Sequence, residues 1–175
     1  LTGLYTREHL YDVIRERLNS NPQRRYLIIF LDVKNFKIVN DIFSNAFGDY
    51  ALQCIADWIR ENVPESCVFG RLGGDTFGLC MPVADFDPTD LEEKLSQLVV
   101  EKDAVVYHLL MHVGIYEISD PDTPVSVMFD RAHLALSTIK DEYQTHVAFY
   151  DNQIRDKVLW DQHISAQLRQ AIAER

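Results

Sequence analysis

A chain of 175 residues has the length of one domain, or of one domain with an appendage. Its net charge of −10 argues against nucleic acid or an anionic membrane surface as the main partner, because both would be repelled. A nucleoside triphosphate stays compatible with this charge, since carboxylates can hold a divalent cation that neutralises the phosphates. The longest apolar stretch, Tyr26 to Leu31, is too short to cross a bilayer, and the first residues do not resemble a signal peptide. We therefore expect a cytoplasmic segment without nucleic-acid or membrane contacts.

The first elements predicted along the chain are helices around one buried strand. Apolar residues at helical spacing predict a helix from about Arg7 to Leu18, with Thr6 as its N-cap. The continuous apolar run from Tyr26 to Leu31 predicts a central strand that ends at Asp32. The elements that follow are a short helix over 36–43, a loop through Gly48 and a longer helix.

The second half of the chain predicts a hairpin and then alternating helices and strands. Gly73 and Gly74 separate two apolar runs, which is a hairpin signal. The predicted elements beyond it are a helix over 89–98, a long strand within 104–118, a helix from Pro124 to about Lys140, a strand over 146–150 and an amphipathic helix over 152–175. This order predicts an α/β (α+β) sandwich in which helices pack on a mixed, largely antiparallel sheet of about five strands. We expect one domain over 1–151 and a C-terminal helix over 152–175.

The cysteine and histidine patterns lack the spacings of the common zinc motifs. Three widely spaced cysteines, Cys54, Cys67 and Cys80, and six scattered histidines show neither CxxC nor HExxH spacing. An odd number of unclustered cysteines is typical of reduced, buried thiols in a cytosolic protein.

Two carboxylates stand at positions that suit metal chemistry. Asp32 follows a buried strand, and Asp75 lies at the tip of the Gly-Gly hairpin. Two acids at the ends of adjacent strands could hold Mg²⁺, which prefers a few carboxylates together with phosphate oxygens and water. Alternatively, Asp32 caps the next helix and Asp75 only fills a turn. The spacing of the residues leaves both interpretations open.

Five short segments follow one another at the spacing of a known family. They are Leu1–Leu4 (LTGL), Leu31–Asp41 (LDVKNFKIVND), Phe47–Asp49 (FGD), Arg71–Phe77 (RLGGDTF) and Arg131–Lys140 (RAHLALSTIK). In this order they resemble the motifs of GGDEF domains, the diguanylate cyclase family. The resemblance covers nearly the whole chain and implies the palm-like fold of nucleotide cyclases and polymerases, with a signature β-hairpin. It also implies that two such domains, each with one Mg-GTP, meet as a homodimer to make cyclic di-GMP.

The resemblance assigns a role to each matching position. The implied metal ligands are Asp32, the Val33 carbonyl and Asp75, with Mg²⁺ as cofactor. The residues implied for GTP are Asn40 and Asp49 at the guanine, backbone amides near Asn35 and Phe36 with Lys37 and Lys140 at the phosphates, and Gly73 and Gly74 in the signature. The alternative is that Asn40 is a helix-surface amide, Asp49 an N-cap and the lysines solvated surface charges.

The signature departs from the family at its catalytic position. Thr76 stands where active cyclases carry Glu, and threonine cannot act as a base at any relevant pH. Lys34 replaces a common second Asp, Gln144 stands where an Arg often meets the phosphates, and the product-inhibition motif RxxD would fall on Pro64 and Cys67. An ion pair between Lys34 and Asp75 in place of a metal is an open alternative.

These observations favour a catalytically impaired domain that binds Mg-GTP and regulates a neighbour. The alternatives are a weakly active diguanylate cyclase and a dimerisation scaffold that binds no nucleotide. The tail from Leu159 to Ala171 resembles the helix that links GGDEF domains to a following EAL phosphodiesterase, although a plain C-terminal helix explains it nearly as well. The expected partners are therefore GTP, a second copy and an EAL domain.

Overall fold

The computed structural model describes residues 1–174, which form six α-helices, one short 3-10 helix (Val83–Asp85) and seven strands. The helices are α1 (Arg7–Ser20), α2 (Phe36–Phe43), α3 (Asn45–Asn62), α4 (Pro88–Ser96), α5 (Val125–Ser137) and α6 (Asn152–Ala173). The strands are β1 (Tyr26–Val33), β2 (Val68–Gly73), β3 (Thr76–Pro82), β4 (Val99–Lys102), β5 (Val105–His108), β6 (Met111–Glu117) and β7 (Val147–Phe149).

Five strands form the central sheet, in the order β2-β3-β1-β6-β7. All neighbours are antiparallel except β6 and β7, which run parallel. Strand β1 lies in the middle and is apolar on both faces, as its continuous run of Leu, Ile and Phe predicts. The predicted mixed, largely antiparallel sheet of five strands flanked by helices is confirmed.

Each face of the sheet is covered by its own helices. The side chains of Leu27, Ile29 and Leu31 pack with the buried face of α3. The alternate residues of β1, including Ile28, pack with α1 and α5 on the other side. This alternation follows from the period of two along a strand, and it means that one strand serves two hydrophobic cores.

Several boundaries differ from the sequence prediction. Strand β1 continues through Asp32 to Val33, because both residues pair with β6. Gly48 lies inside α3 instead of a loop, since the only residue between α2 and α3 is Ser44, which caps α3 through Phe47 N. Helix α5 ends at Ser137, so Lys140 lies in the turn beyond it.

The region after α4 contains a strand that the sequence analysis missed. Strands β4 and β5 form a separate two-stranded sheet, and the predicted long strand over 104–118 is split into β5 and β6. The turn of this hairpin holds Asp103 and Ala104, which both have positive φ.

The C-terminal helix α6 begins at Asn152, capped by the Asp151 side chain, and none of its described residues is buried. Arg175, the last residue of the predicted tail helix, lies outside the described residues. A separate linker role for 152–175 stays a prediction. Within residues 1–174, no helix combines the length and the apolarity needed to span a bilayer.

Candidate functional site

Two carboxylates meet where β1 approaches the β2–β3 turn. Asp32 lies opposite Thr76 in the β1–β3 ladder, and Asp75 is the turn residue before Thr76. The Val33 amide donates to the Asp75 carbonyl at 3.4 Å, which ties the strand to the turn. Burial, then the charge of Asp75 and a hydrogen bond shared with it, raises the pKa of Asp32 to about 7. The two acids therefore lie close enough for the charge of Asp75 to oppose ionisation of Asp32.

This pair has the donor chemistry that magnesium requires. The side chains of residues 1–174 form no group of three or more His, Cys, Asp or Glu that could hold a metal. Mg²⁺ nevertheless binds proteins through one or two carboxylates and takes its other ligands from water and phosphates. A cation between Asp32 and Asp75 would favour ionisation of Asp32, against the burial and the charge of Asp75 that raise its pKa. The pair, with the adjoining Val33 carbonyl, fits an ion that arrives with a nucleotide.

The raised pKa leads to a prediction about stability. In the range between its ordinary value of 3.8 and about 7, Asp32 keeps its proton in the folded protein and loses it in the unfolded chain. Its contribution to the free energy of unfolding is therefore largest below pH 3.8 and is lost as the pH rises through 7. We expect Asp32→Asn to unfold at a higher temperature than wild type at neutral pH in EDTA, with a flatter pH profile.

Thermal unfolding of the metal-free protein across this pH range measures the effect. Glu92→Gln, which neutralises an exposed carboxylate in α4, is the control and should follow the wild-type profile. Identical pH profiles for Asp32→Asn and wild type would contradict the raised pKa of Asp32.

The turn between β2 and β3 is held by its own backbone and two side chains. The Thr76 hydroxyl donates to the Gly73 carbonyl at 2.6 Å, and Arg71 Nε and Nη2 donate to the Gly74 carbonyl at 2.9 and 2.6 Å. Gly73 and Gly74 have φ of 147° and 52°, values that glycine adopts without strain. No atom lies within 4 Å of where a Gly74 side chain would be. The turn is thus open on its outer side and presents Asp75, with a hydroxyl at position 76.

A second polar corner joins α2 to α3. The buried Asn40 Oδ1 atom has no hydrogen-bond partner among residues 1–174. It lies against Gly48, and a Cβ on Gly48 would come within 1.7 Å of it. This contact brings the Asn40 amide beside the turn of α3 that carries the exposed carboxylate of Asp49. An amide with a carboxylate can match the donors and acceptors of a purine edge.

The close approach of Gly48 to Asn40 is testable without a ligand. We expect Gly48→Ala to lower the free energy of unfolding by about 1–3 kcal/mol, because the new methyl group overlaps the Asn40 amide. In an Asn40→Ala background the same change should cost clearly less, and urea unfolding of the four proteins gives this coupling. Equal costs in both backgrounds would show that Asn40 does not occupy the space beside Gly48.

The remaining predicted residues surround the start of α2. Asn35 precedes the helix with φ of 56°, and its side chain makes no capping bond, so it leaves the first two amides of α2 uncapped, whereas the third donates to the Asn35 carbonyl at 2.9 Å. Phe36 is half-buried beside Gly48, and Lys37 is exposed on the first turn. Lys140 is exposed in the connection between α5 and β7.

Lys34 does not pair with Asp75, so the alternative of an ion pair in place of a metal is not what the structure contains. Its ammonium group donates to the Glu142 carbonyl at 3.1 Å and lies 3.7 Å from the centre of the Tyr143 ring. Sequence reasoning missed His112, which lies opposite Asp32 in the β1–β6 ladder and is 3% exposed. The available signal was a histidine inside the apolar run of β6.

The comparison with protein families covers all of these elements. The family described as "Diguanylate cyclase, GGDEF domain" matches residues 1–146, which include the carboxylate pair, the turn and the Asn40–Asp49 corner. The chain belongs to the GGDEF domain family. The resemblance predicted from the five motifs is thereby confirmed, and the domain is one of cyclic di-GMP signalling.

Curated relatives align with this GGDEF domain over nearly its whole length. The bifunctional diguanylate cyclase/cyclic di-GMP phosphodiesterase MucR of Pseudomonas aeruginosa is 27% identical, over 100% of this chain and 26% of MucR. The cyclic di-GMP phosphodiesterase NbdA of the same organism is 26% identical, over 99% of this chain and 23% of NbdA. The chain therefore spans about a quarter of the length of these relatives.

Solved structures agree with the fold. The GGDEF domain of YfiN (also TpbB) from Pseudomonas aeruginosa superposes with a TM-score of 0.79 at 23% identity, over 90% of this chain and 96% of that one. The diguanylate cyclase SiaD of Pseudomonas aeruginosa, solved in complex with its activator SiaC, gives a TM-score of 0.73 at 27% identity, over 85% of this chain and 59% of that one.

Proposed function

We propose that this GGDEF domain is a catalytically impaired module that binds Mg-GTP and regulates a neighbouring domain. The observation that supports the proposal is the threonine at position 76 and the hydrogen bond that it makes. Its side chain is a hydroxyl that donates to the Gly73 carbonyl, so no carboxylate stands beside the Asp32–Asp75 pair to assist the attacking 3′-hydroxyl. Loss of a positioned acid–base group typically costs about 10²- to 10⁴-fold in rate.

The binding half of the site supports retention of nucleotide. Asp32, Asp75 and the Val33 carbonyl would hold Mg²⁺, which would neutralise the triphosphate. The Asn40 amide and the Asp49 carboxylate would bind guanine, since a carboxylate accepts from the N1–H and N2–H₂ donors of that base. The open amides at the start of α2, with Lys37 and Lys140, would meet the phosphates.

A neighbouring domain is the target of the proposed regulation. Two relatives that contain a segment like this one are named as phosphodiesterases of cyclic di-GMP. The exposed helix α6 leaves the domain beside α5 and would carry the signal to a following EAL domain. A second copy, paired face to face, would complete the arrangement typical of the family.

Calorimetric titration of GTP, with Mg²⁺ and then with EDTA, tests the proposal. We expect saturable binding with Mg²⁺ that Asp32→Ala and Asp49→Ala each weaken by at least about tenfold, as expected for loss of one charged contact. ATP provides the control for the guanine contacts, and Glu92→Ala in α4 provides the control for a surface carboxylate.

The other outcomes point to the two alternative functions. Absence of heat at millimolar GTP would contradict the proposal and leave a dimerisation scaffold. Cyclic di-GMP formed by the wild-type protein, and abolished by Asp32→Ala, would instead identify a weakly active cyclase. Product analysis of the same samples by chromatography separates these cases.

A further inference from the structure

A single backbone oxygen joins three elements beside the site. The Glu142 carbonyl accepts from Lys34 Nζ at 3.1 Å, and His112 Nε2 lies 2.9 Å from the same oxygen. A carbonyl oxygen has two lone pairs and can accept both bonds. Lys34 follows the end of β1 and His112 lies on β6, whereas Glu142 belongs to the connection between α5 and β7. This oxygen therefore fastens the connection to the end of the central sheet.

The neighbouring residue adds a second attachment. The Lys34 ammonium lies 3.7 Å from the centre of the Tyr143 ring, well within the range of a cation–π contact. The five residues from Asp141 to Thr145 are all exposed, so no apolar burial holds this segment in place. Its two ends are fixed by the Glu142 amide, which donates to the Ile139 carbonyl at 2.9 Å, and by the His146 carbonyl, which accepts from Val113 at 2.8 Å.

We propose that Lys34 is a positioning residue that holds the α5–β7 connection against the end of β1 through Glu142 and Tyr143. These three residues with His112 form a clasp, the Lys34 clasp. Lys140 belongs to the same connection, two residues before Glu142. The clasp thereby sets the distance between the Lys140 ammonium and the Asp32–Asp75 pair. The ligand that Lys140 would contact is the phosphate chain of a nucleoside triphosphate, and this part of the inference rests on the proposed function.

The clasp also explains how a lysine is tolerated two residues after Asp32. An ammonium group free to turn toward the carboxylates would compete with Mg²⁺ for them. The bond to Glu142 and the face of Tyr143 give this charge partners that lie away from Asp75. Asp32 and Asp75 therefore stay available to a cation, and the role of Lys34 is to position Lys140 for the phosphates.

Hydrogen exchange of the free protein tests the clasp without any nucleotide. We expect Lys34→Met to accelerate exchange of the Glu142 amide, which donates to the Ile139 carbonyl, by about 5- to 30-fold, which corresponds to the loss of one hydrogen bond and one cation–π contact. Lys34→Arg, which keeps both contacts, should restore slow exchange. Lys102→Met is the matched control, because Lys102 lies 5.1 Å from the Tyr50 ring, outside the clasp. Unchanged exchange in Lys34→Met, as in Lys102→Met, would overturn the clasp.

Calorimetry with Mg-GTP tests the effect on phosphate binding. Lys34→Met should weaken GTP by about tenfold, Lys34→Arg should restore it, and the effect should largely vanish in a Lys140→Ala background, because both changes then remove the same contact. Faster exchange with unchanged GTP affinity, or a full Lys34→Met effect without Lys140, would overturn the positioning role. A wild-type protein that binds no GTP, even with slow exchange of the Glu142 amide, would overturn the proposed function and the phosphate role with it.

Discussion

Thr76→Glu is expected to raise the rate of cyclic di-GMP formation by about 10²- to 10⁴-fold, the rate enhancement that one positioned acid–base group typically supplies. Position 76 opens β3 and pairs with Asp32 across the β1–β3 ladder, so a carboxylate there would stand beside the existing pair. The Thr76 side chain is only half-buried, which leaves room for the longer acid at the edge of the turn. The present hydroxyl is held by Gly73 and has no charge to contribute.

The matched control is Thr76→Gln, which has the length of Glu without its charge. We expect it to stay at the wild-type rate, and Asp32→Ala in the Thr76→Glu background to remove the gain. Chromatographic measurement of product from GTP and Mg²⁺ gives all four rates. A wild-type protein that already forms cyclic di-GMP at a readily measured rate, which Thr76→Glu does not raise, would show that the domain is not impaired. A gain below tenfold in Thr76→Glu would mean that other departures, such as Gln144, limit catalysis.

The sequence predicts the central sheet well because its elements follow local rules. The continuous apolar run of β1 has no helical spacing, and the Gly-Gly pair at the end of β2 permits the positive φ values of a tight turn. The sequence predicts the end of β1 at Asp32, one residue early, because a charged side chain after an apolar run resembles the end of a strand. Pairing with both neighbouring strands keeps Asp32 in the ladder, and this information lies in β3 and β6.

Two features that the sequence did not predict, the place of Gly48 in α3 and strand β4, depend on tertiary contacts. The sequence predicts a loop through Gly48, whereas this residue lies inside α3, where the Asn40 amide occupies the space that a side chain would need. Strand β4 was missed because the apolar residues before it continue the spacing of α4. It becomes a strand only by pairing with β5, which a local pattern cannot anticipate.

The family resemblance identified the carboxylate pair and the Asn40–Asp49 corner, but it could not show which residues the Lys34 side chain contacts. A lysine beside two acids suggests an ion pair when only the sequence is known. Its stem instead reaches a connection more than a hundred residues later, where a carbonyl and an aromatic face are available. A long side chain can reach several partners, and the fold decides which of them lie within reach. The contact of Lys34 with Glu142 and Tyr143 could therefore not be predicted from the sequence.

The second large effect is expected at Gly114, where β6 meets α5. A Cβ on Gly114 would lie 1.8 Å from the Ala132 carbonyl oxygen and 2.8 Å from its carbon, so the helix backbone itself would have to move. Strand β6 lies between β1 and β7 in the sheet, and α5 packs across all three. We expect Gly114→Ala to lower the free energy of unfolding by about 3 kcal/mol, the upper end for an overpacked core.

Gly70→Ala in β2 is the graded control for this prediction, measured by urea unfolding with wild type. Its Cβ would come within 2.8 Å of the Tyr5 carbonyl oxygen and 3.2 Å of the Leu10 side chain, a milder overlap on a strand at the edge of the sheet. We expect a smaller loss there, about 1–2 kcal/mol. Replacement of glycine by alanine in an unstrained position would instead stabilise the protein slightly, because the unfolded chain loses freedom. A loss below about 1 kcal/mol for Gly114→Ala would therefore mean that α5 does not pack this closely on β6.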